Sequence, residues 1–101
     1  MVELLFSGDF APLSIGGDPK EKHLVQIDSI LLGCDLHITN LECPLTESKA
    51  FIQKTGPHIK VSPAAVDLLT QARVSVACMA NNHIFDVGVQ GINDTIAVCE
   101  A

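Results

Sequence analysis

Three short apolar segments of this chain, at residues 2–6, 35–42 and 74–80, are each followed by a segment with helical periodicity. Apolar runs of this length are typical of strands that are buried on both faces. Strands that alternate with helices in this way form a parallel sheet with right-handed crossovers. The pattern therefore predicts an α/β fold with a mainly parallel sheet, organised as one domain over residues 1–101.

Helix signals occur between and after these strands. The first predicted helix covers about residues 19–32, with Asp18 as its N-cap. The second begins after an N-cap at Ser62, and the third begins near Val89. The segment at residues 43–63 contains a Thr-Gly-Pro turn signal, so we expect an irregular excursion or a hairpin there.

Composition limits the classes of function. Hydrophobic residues make up 48% of the chain, which excludes a disordered protein, and the lack of Trp and Tyr predicts an aliphatic core. The formal net charge of −6 argues against binding to nucleic acid or to an anionic membrane. A polyanionic substrate would also be repelled, unless metal ions or nearby lysines offset this charge.

Sequence features that would place the protein in a membrane or outside the cell are not found. No apolar run approaches the roughly 18 residues that span a bilayer, and the first ten residues lack the pattern of an export signal. The four cysteines never form a CxxC pair, and each has apolar neighbours. We therefore expect buried free thiols in a reducing compartment, with a disulfide or a thiolate metal site as the alternatives.

Polar side chains follow each of the three predicted strands. Asp9 follows the first strand, Asn40 and Glu42 close the second, and Asn82 and His83 follow the third. The carboxyl ends of parallel strands meet at one edge of a sheet, where ligands bind in folds of this type. Carboxylate, amide and imidazole ligands together suit Mn, Mg, Zn or Fe. The sequence therefore predicts a divalent metal site at this edge.

Structural explanations for the same residues remain open. Asp9 and Glu42 are also common turn residues, and Asn81 and Asn82 both tolerate unusual turn dihedrals, a role that we assign to Asn81 in particular. Asp86 is suited either to cap the third helix or to bind His83. These roles need no metal.

The motifs that carry the polar residues resemble a known family. "GDF" at residues 8–10, "NLECPLT" at 40–46 and "MANNHIFDVGVQGINDT" at 79–95 are similar to motifs of the bacterial capsule-synthesis proteins of the CapA type, or poly-γ-glutamate synthesis family. The resemblance extends over about residues 4–97. It implies a fold related to the calcineurin-like metallophosphoesterases, which hold two metals between two β-sheets in an αββα sandwich.

The resemblance also implies roles for individual residues. Asp9 would ligate the first metal, Glu42 would bridge the metals, and Asn82 would ligate the second. His83 would contact the reacting group as the catalytic residue. Asn40 and Asp86 are predicted to contact and support these residues without binding metal themselves. The implied cofactor is a binuclear pair of Mn²⁺, Zn²⁺ or Fe²⁺ ions. The implied substrate is a polyanionic polymer or a phosphoester, and the implied location is the cell envelope, whereas the lack of an export signal favours the cytoplasm.

Two differences from the metallophosphoesterase pattern are visible. Those enzymes begin their site with Asp-x-His, whereas Asp9 is followed by Phe10 and Ala11. This difference supports an alternative function as a non-catalytic scaffold or polymer-handling component. The chain also stops inside a predicted helix, so we expect it to be the N-terminal part of a longer domain. Such a part is expected to expose apolar surface and to self-associate.

Overall fold

In the part of the chain that the structure describes, the strands form one sheet of three parallel strands. A computed structural model describes residues 1–13 and 24–101 of the chain. The strands are β1 (Leu4–Phe10), β2 (Leu36–Leu41) and β3 (Val76–Cys78), and their order in the sheet is β1-β2-β3. The predicted α/β fold with a parallel sheet is therefore confirmed.

Short helices connect the strands, and a longer one follows them. The helices are α1 (Asp28–Gly33), α2 (Val66–Gln71) and α3 (Gly88–Glu100). One turn of 3-10 helix precedes α1 at Val25–Ile27, and another precedes α2 at Pro63–Ala65. In the described part of the chain, no helix has the length and hydropathy needed to cross a membrane.

The helix predictions are confirmed in type and differ in extent. Ser62 does cap the second helical segment, because its side chain accepts a hydrogen bond from the Ala64 N–H at 3.3 Å. The predicted N-cap Asp18 and the start of the helix predicted at 19–32 lie outside the described residues. What the structure describes of that helix is the 3-10 turn and α1, and α1 has only six residues.

Strand β1 extends further than the sequence predicted. The predicted strand ended at residue 6, whereas β1 continues through Asp9 to Phe10. Phe6 is paired with Ile38 and Asp9 with Asn40, so β1 contains one more residue than β2 between these two pairs. This β-bulge places Asp9 level with Asn40. In an uninterrupted register Asp9 would instead lie opposite the residue after Asn40.

The core lies on one side of the sheet and is aliphatic, as composition predicted. Its most buried members and the residues packed against them are Leu41, Leu45, Ala65, Leu69, Phe10, Val61, Val66, Val74, Ala77, Met79 and Val98. Burying a leucine side chain of this kind contributes about 1.5–3 kcal/mol. The side chains of Leu4, Phe6, Leu36 and Val76 remain exposed on the sheet, with Phe6 at 68%.

The cysteines differ in environment, and the expectation of burial was wrong for two of them. Cys43 is buried and Cys34 is partly buried, whereas Cys78 and Cys99 are exposed. Desolvation, with a contribution from the negative charge of Glu42, raises the pKa of Cys43 to about 11. The Cys43 thiol is therefore protonated at neutral pH and serves as a small apolar side chain.

Gly88, the first residue of α3, has a left-handed conformation with φ of 63°. We expect Gly88→Ala to lower the free energy of unfolding by about 1–2 kcal/mol, because a Cβ is unfavourable at this dihedral. The cost would come from the backbone alone, since the nearest atoms would be 3.9 Å from the added Cβ. Urea denaturation measures this change. Gly33→Ala is the control, because a Cβ there meets no atom within 4 Å. Equal effects of the two substitutions would contradict the prediction.

Candidate metal and catalytic site

Asp9 and Glu42, here called the carboxylate pair, lie next to each other at the carboxyl ends of β1 and β2. The Asn40 amide nitrogen Nδ2 donates a hydrogen bond to Asp9 Oδ1 at 2.8 Å and another to Glu42 Oε2 at 2.5 Å. The β-bulge makes this possible, because it sets Asp9 beside Asn40. Since both carboxylate oxygens contact the same nitrogen, they lie close together. Two ionised carboxylates that both contact one amide nitrogen repel each other unless a positive group lies nearby.

Asn81 connects the end of β2 to the loop after β3. Its Nδ2 donates to Asn40 Oδ1 at 3.0 Å and to the Leu41 carbonyl oxygen at 2.8 Å. Its Oδ1 accepts from the backbone N–H groups of His83 and Ile84, at 3.1 and 2.9 Å. Because the Asn40 oxygen accepts from Asn81, the Asn40 NH₂ group faces the carboxylate pair. Asn81 therefore fixes the orientation of the amide that holds both carboxylates.

The role of Asn81 differs from the turn-dihedral explanation considered above. Among the described residues, the only non-glycine residue with positive φ is Arg73, so the Asn81 backbone is not unusual. Its four side-chain hydrogen bonds explain an asparagine at this position instead. Two of these bonds satisfy backbone N–H groups in a loop, where no helix or strand supplies an acceptor.

Asp86 is fully buried, with 0% exposure, and its carboxylate accepts from three donors. Its Oδ2 contacts His83 Nδ1 at 2.8 Å and accepts from the Ile59 N–H at 2.8 Å. Its Oδ1 accepts from the ammonium group of Lys54. Burial alone would raise the pKa of Asp86, but the hydrogen bonds from Lys54, Ile59 and His83, together with the Lys54 charge, hold it below its ordinary value.

The ionised Asp86 determines which nitrogen of His83 carries a proton. An ionised carboxylate only accepts hydrogen bonds, so Nδ1 must be the donor to Asp86. In the neutral imidazole, Nε2 then has the free lone pair. The side chain of His83 is 16% exposed, so part of the ring reaches solvent. Asp86 does not cap α3, whose N-cap is Val87 without a side-chain hydrogen bond.

The structure brings the candidate residues together in two groups. Asp9, Asn40 and Glu42 form one group, and His83 with Asp86 forms the other. Asn81 joins the two groups, because it contacts both Asn40 and the His83 N–H. Asn82 is exposed, and its side chain has no hydrogen bond to either group in the described part of the chain.

The carboxylate pair fits a divalent cation in the kind of ligand it offers. Its two hard oxygen ligands, from the ends of adjacent strands, both lie within hydrogen-bonding distance of the Asn40 amide nitrogen, and carboxylate oxygens suit Mn²⁺, Mg²⁺, Zn²⁺ or Fe²⁺. The described residues do not complete a site, because no group of three or more His, Cys, Asp or Glu residues among them is arranged to hold a metal ion.

Comparison of the sequence with known protein families identifies the family to which the chain belongs. Residues 15–101 match the family described as bacterial capsule synthesis protein PGA_cap, and the chain belongs to that family. The resemblance to this family is thus confirmed, and the matched residues include the second and third motifs, at residues 40–46 and 79–95. The family is related to the synthesis of capsule and of poly-γ-glutamate.

Similar curated proteins come from two bacteria. The chain is 38% identical over 63 residues to a probable polyglutamine synthesis accessory protein in each of two strains of Mycobacterium tuberculosis, covering 62% of this chain and 17% of the relative. It is 32% identical over 71 residues to the PGA biosynthesis protein CapA of Bacillus subtilis, covering 69% of this chain and 19% of the relative. The matched region therefore spans less than a fifth of the length of these relatives.

Proposed function

We propose that this chain carries part of a divalent-metal hydrolase site in a protein of capsule or poly-γ-glutamate synthesis. The observation that supports the proposal best is the convergence of the Asp9 and Glu42 oxygens on one amide nitrogen. Two carboxylates in this position cost electrostatic free energy, and a divalent cation would remove that cost. Asp9 and Glu42, with the amide oxygen of Asn82, would hold Mn²⁺, Zn²⁺ or Fe²⁺.

Each of the other residues of the site would have a separate role in the reaction. A bound ion supplies a water of lowered pKa, which is the nucleophile in sites of this class. His83 would contact the reacting group through Nε2, whose free lone pair would first accept a proton from the attacking water. The imidazolium formed in this way would then donate that proton to the leaving group or stabilise developing negative charge on it. Asp86 would hold the His83 ring in the orientation that makes Nε2 available. Asn40, fixed by Asn81, would keep the carboxylate pair together.

The proposed substrate is an anionic polymer or a phosphoester. The chain is acidic overall, but three of its six Lys and Arg residues, namely Lys49, Lys54 and Lys60, fall within residues 49–60. This segment also contacts the loop that carries His83, because the Ile52 N–H donates to the Asp86 carbonyl oxygen at 3.1 Å. Because Lys54 is paired with Asp86, the charges of this segment that would attract a substrate with negative charge are those of Lys49 and Lys60.

A second candidate function is a scaffold or polymer-handling component without catalysis. Two observations favour it. Position 11 is alanine where the metallophosphoesterase pattern has a histidine, and the described residues do not form a three-ligand metal group. This candidate predicts that the protein binds polymer and cleaves nothing.

Hydrolysis by the complete protein, as its gene encodes it, distinguishes the two functions. The purified protein is stripped with a chelator, reloaded with Mn²⁺ or Zn²⁺, and tested on poly-γ-glutamate and on an aryl phosphate. We expect metal-dependent cleavage of one substrate, reduced at least roughly a hundredfold by Glu42→Gln, since loss of a metal ligand exceeds the effect of losing a supporting residue.

Glu47→Gln is the matched control for this experiment. It removes the same charge from an exposed position five residues away and should leave cleavage unchanged. Absence of cleavage with every metal would reject the hydrolase and favour the scaffold. Equal loss in both variants would show that the charge of the segment matters and the position of Glu42 does not.

A further inference from the structure

Lys54 is the charged partner of the buried Asp86, although the two residues are 32 positions apart. The Lys54 ammonium donates to Asp86 Oδ1, and its side chain is only 21% exposed. The proposed mechanism requires only the contact between Asp86 and His83. The function of Lys54 in this arrangement is therefore a separate question.

The geometry divides the Asp86 carboxylate into two halves. Oδ1 accepts from Lys54, and Oδ2 accepts from the Ile59 N–H and contacts His83 Nδ1. A carboxylate is planar, so a strong charge-assisted bond to one oxygen fixes the direction of the other oxygen. Lys54 thus sets the position of the oxygen that meets His83. A buried carboxylate also needs a compensating charge, and Lys54 supplies it without using His83.

The other lysines of the same segment have different contacts. Lys60 donates to the Ser48 carbonyl oxygen at 2.8 Å, and its ammonium lies 5.8 Å from the centre of the Phe51 ring. Lys49 is exposed. Neither lysine contacts Asp86 in the described structure. An influence on the orientation of the His83 ring, exerted through Asp86, should therefore come from Lys54 and not from the net charge of the segment.

We propose that Lys54 is a positioning residue that acts through Asp86 to keep the His83 ring oriented with Nδ1 protonated and Nε2 free. This proposal rests on the proposed function in one respect only, namely that the reaction uses the free Nε2 of His83. The orientation of the ring follows from the contacts and exists without metal or substrate.

Nitrogen NMR of the imidazole tests this proposal directly. The complete protein is labelled with ¹⁵N-histidine and studied metal-free at about pH 8.5, well above the ordinary imidazole titration. The His83 signals are assigned by their loss in His83→Gln. We expect a protonated Nδ1 and an unprotonated Nε2 in the unsubstituted protein. In Lys54→Met we expect loss of this pattern, with protonated Nε2 becoming detectable.

Two further variants make the result specific. Lys54→Arg keeps the positive charge and the donors and should restore most of the Nδ1-protonated form. Lys49→Met removes the same charge from an exposed position and should leave the His83 signals unchanged. An unchanged tautomer in Lys54→Met, or protonated Nε2 in the unsubstituted protein, would overturn the proposal.

A measurement without substitution covers the case in which Lys54→Met does not fold. The Lys54 ammonium, held by Asp86, should give a slowly exchanging proton signal that Lys49 lacks, and its absence would overturn the proposal. The test uses neither metal nor substrate, so it is independent of catalysis. If the protein hydrolyses nothing but its His83 tautomer depends on Lys54, the proposed hydrolase function is rejected and this inference stands. If the protein is a hydrolase but its His83 tautomer does not change in Lys54→Met, this inference is rejected and the proposed function stands.

Discussion

Asp86→Ala is expected to lower the free energy of unfolding by about 3 kcal/mol, as removal of one partner from a buried ion pair commonly does. The substitution leaves the Ile59 N–H without its acceptor and removes the group that orients His83. The value lies at the low end for such pairs, because Lys54 keeps a partial route to solvent. Equilibrium denaturation in urea at neutral pH measures it. The control Asp67→Ala removes a carboxylate from the first turn of α2 and should cost less than about 1 kcal/mol.

The dependence of this effect on pH provides a check on its cause. The folded pKa of Asp86 lies below the ordinary value of 3.8, so its contribution to stability is present above that value. The contribution is lost as pH falls through the folded pKa. The difference between the unsubstituted protein and Asp86→Ala should therefore shrink as pH falls below about 3.8. A difference that stayed constant on acidification would show that ionised Asp86 is not its source.

Asn81→Ala is expected to lower the free energy of unfolding by about 2–3 kcal/mol, because it leaves partly buried partners without hydrogen bonds. The side chain makes four hydrogen bonds that join β2 to the loop carrying His83. Thermal or urea denaturation measures the change. Asn82→Ala, one residue away and exposed, is the matched control and should change stability by less than about 0.5 kcal/mol. Similar costs at both positions would contradict the role given to Asn81.

The sheet and the edge that carries the candidate residues could be predicted because they depend on local patterns. Apolar runs separated by helical periodicity determine a parallel sheet, and the carboxyl ends of parallel strands lie at one edge. Asp9 shows where local patterns fail. The sequence predicted that the first strand ends before Ser-Gly-Asp, but β1 continues through Asp9. Pairing with β2 supplies the hydrogen bonds that local turn preference did not take into account.

Contacts between distant segments could not be predicted. Lys54 meets Asp86 across 32 positions, and Asn81 meets Asn40 across 41. No periodicity relates such residues, so three lysines in the same segment looked alike in the sequence. A partial signal existed for Asn81, since an asparagine after a buried strand often bonds to the backbone N–H groups that follow it. The contact between Asp86 and His83 could be predicted, because Asp86 follows His83 by only three residues.

The metal content of the complete protein tests the central claim most directly. The protein is stripped with a chelator, reloaded with Mn²⁺ or Zn²⁺, passed through a desalting column and analysed by mass spectrometry, with Glu42→Gln and Glu47→Gln treated in parallel. We predict stoichiometric metal on the unsubstituted protein and on Glu47→Gln, and a clear loss on Glu42→Gln. Retention of no metal by the unsubstituted protein, or full retention by Glu42→Gln, would contradict the assignment of the carboxylate pair as metal ligands.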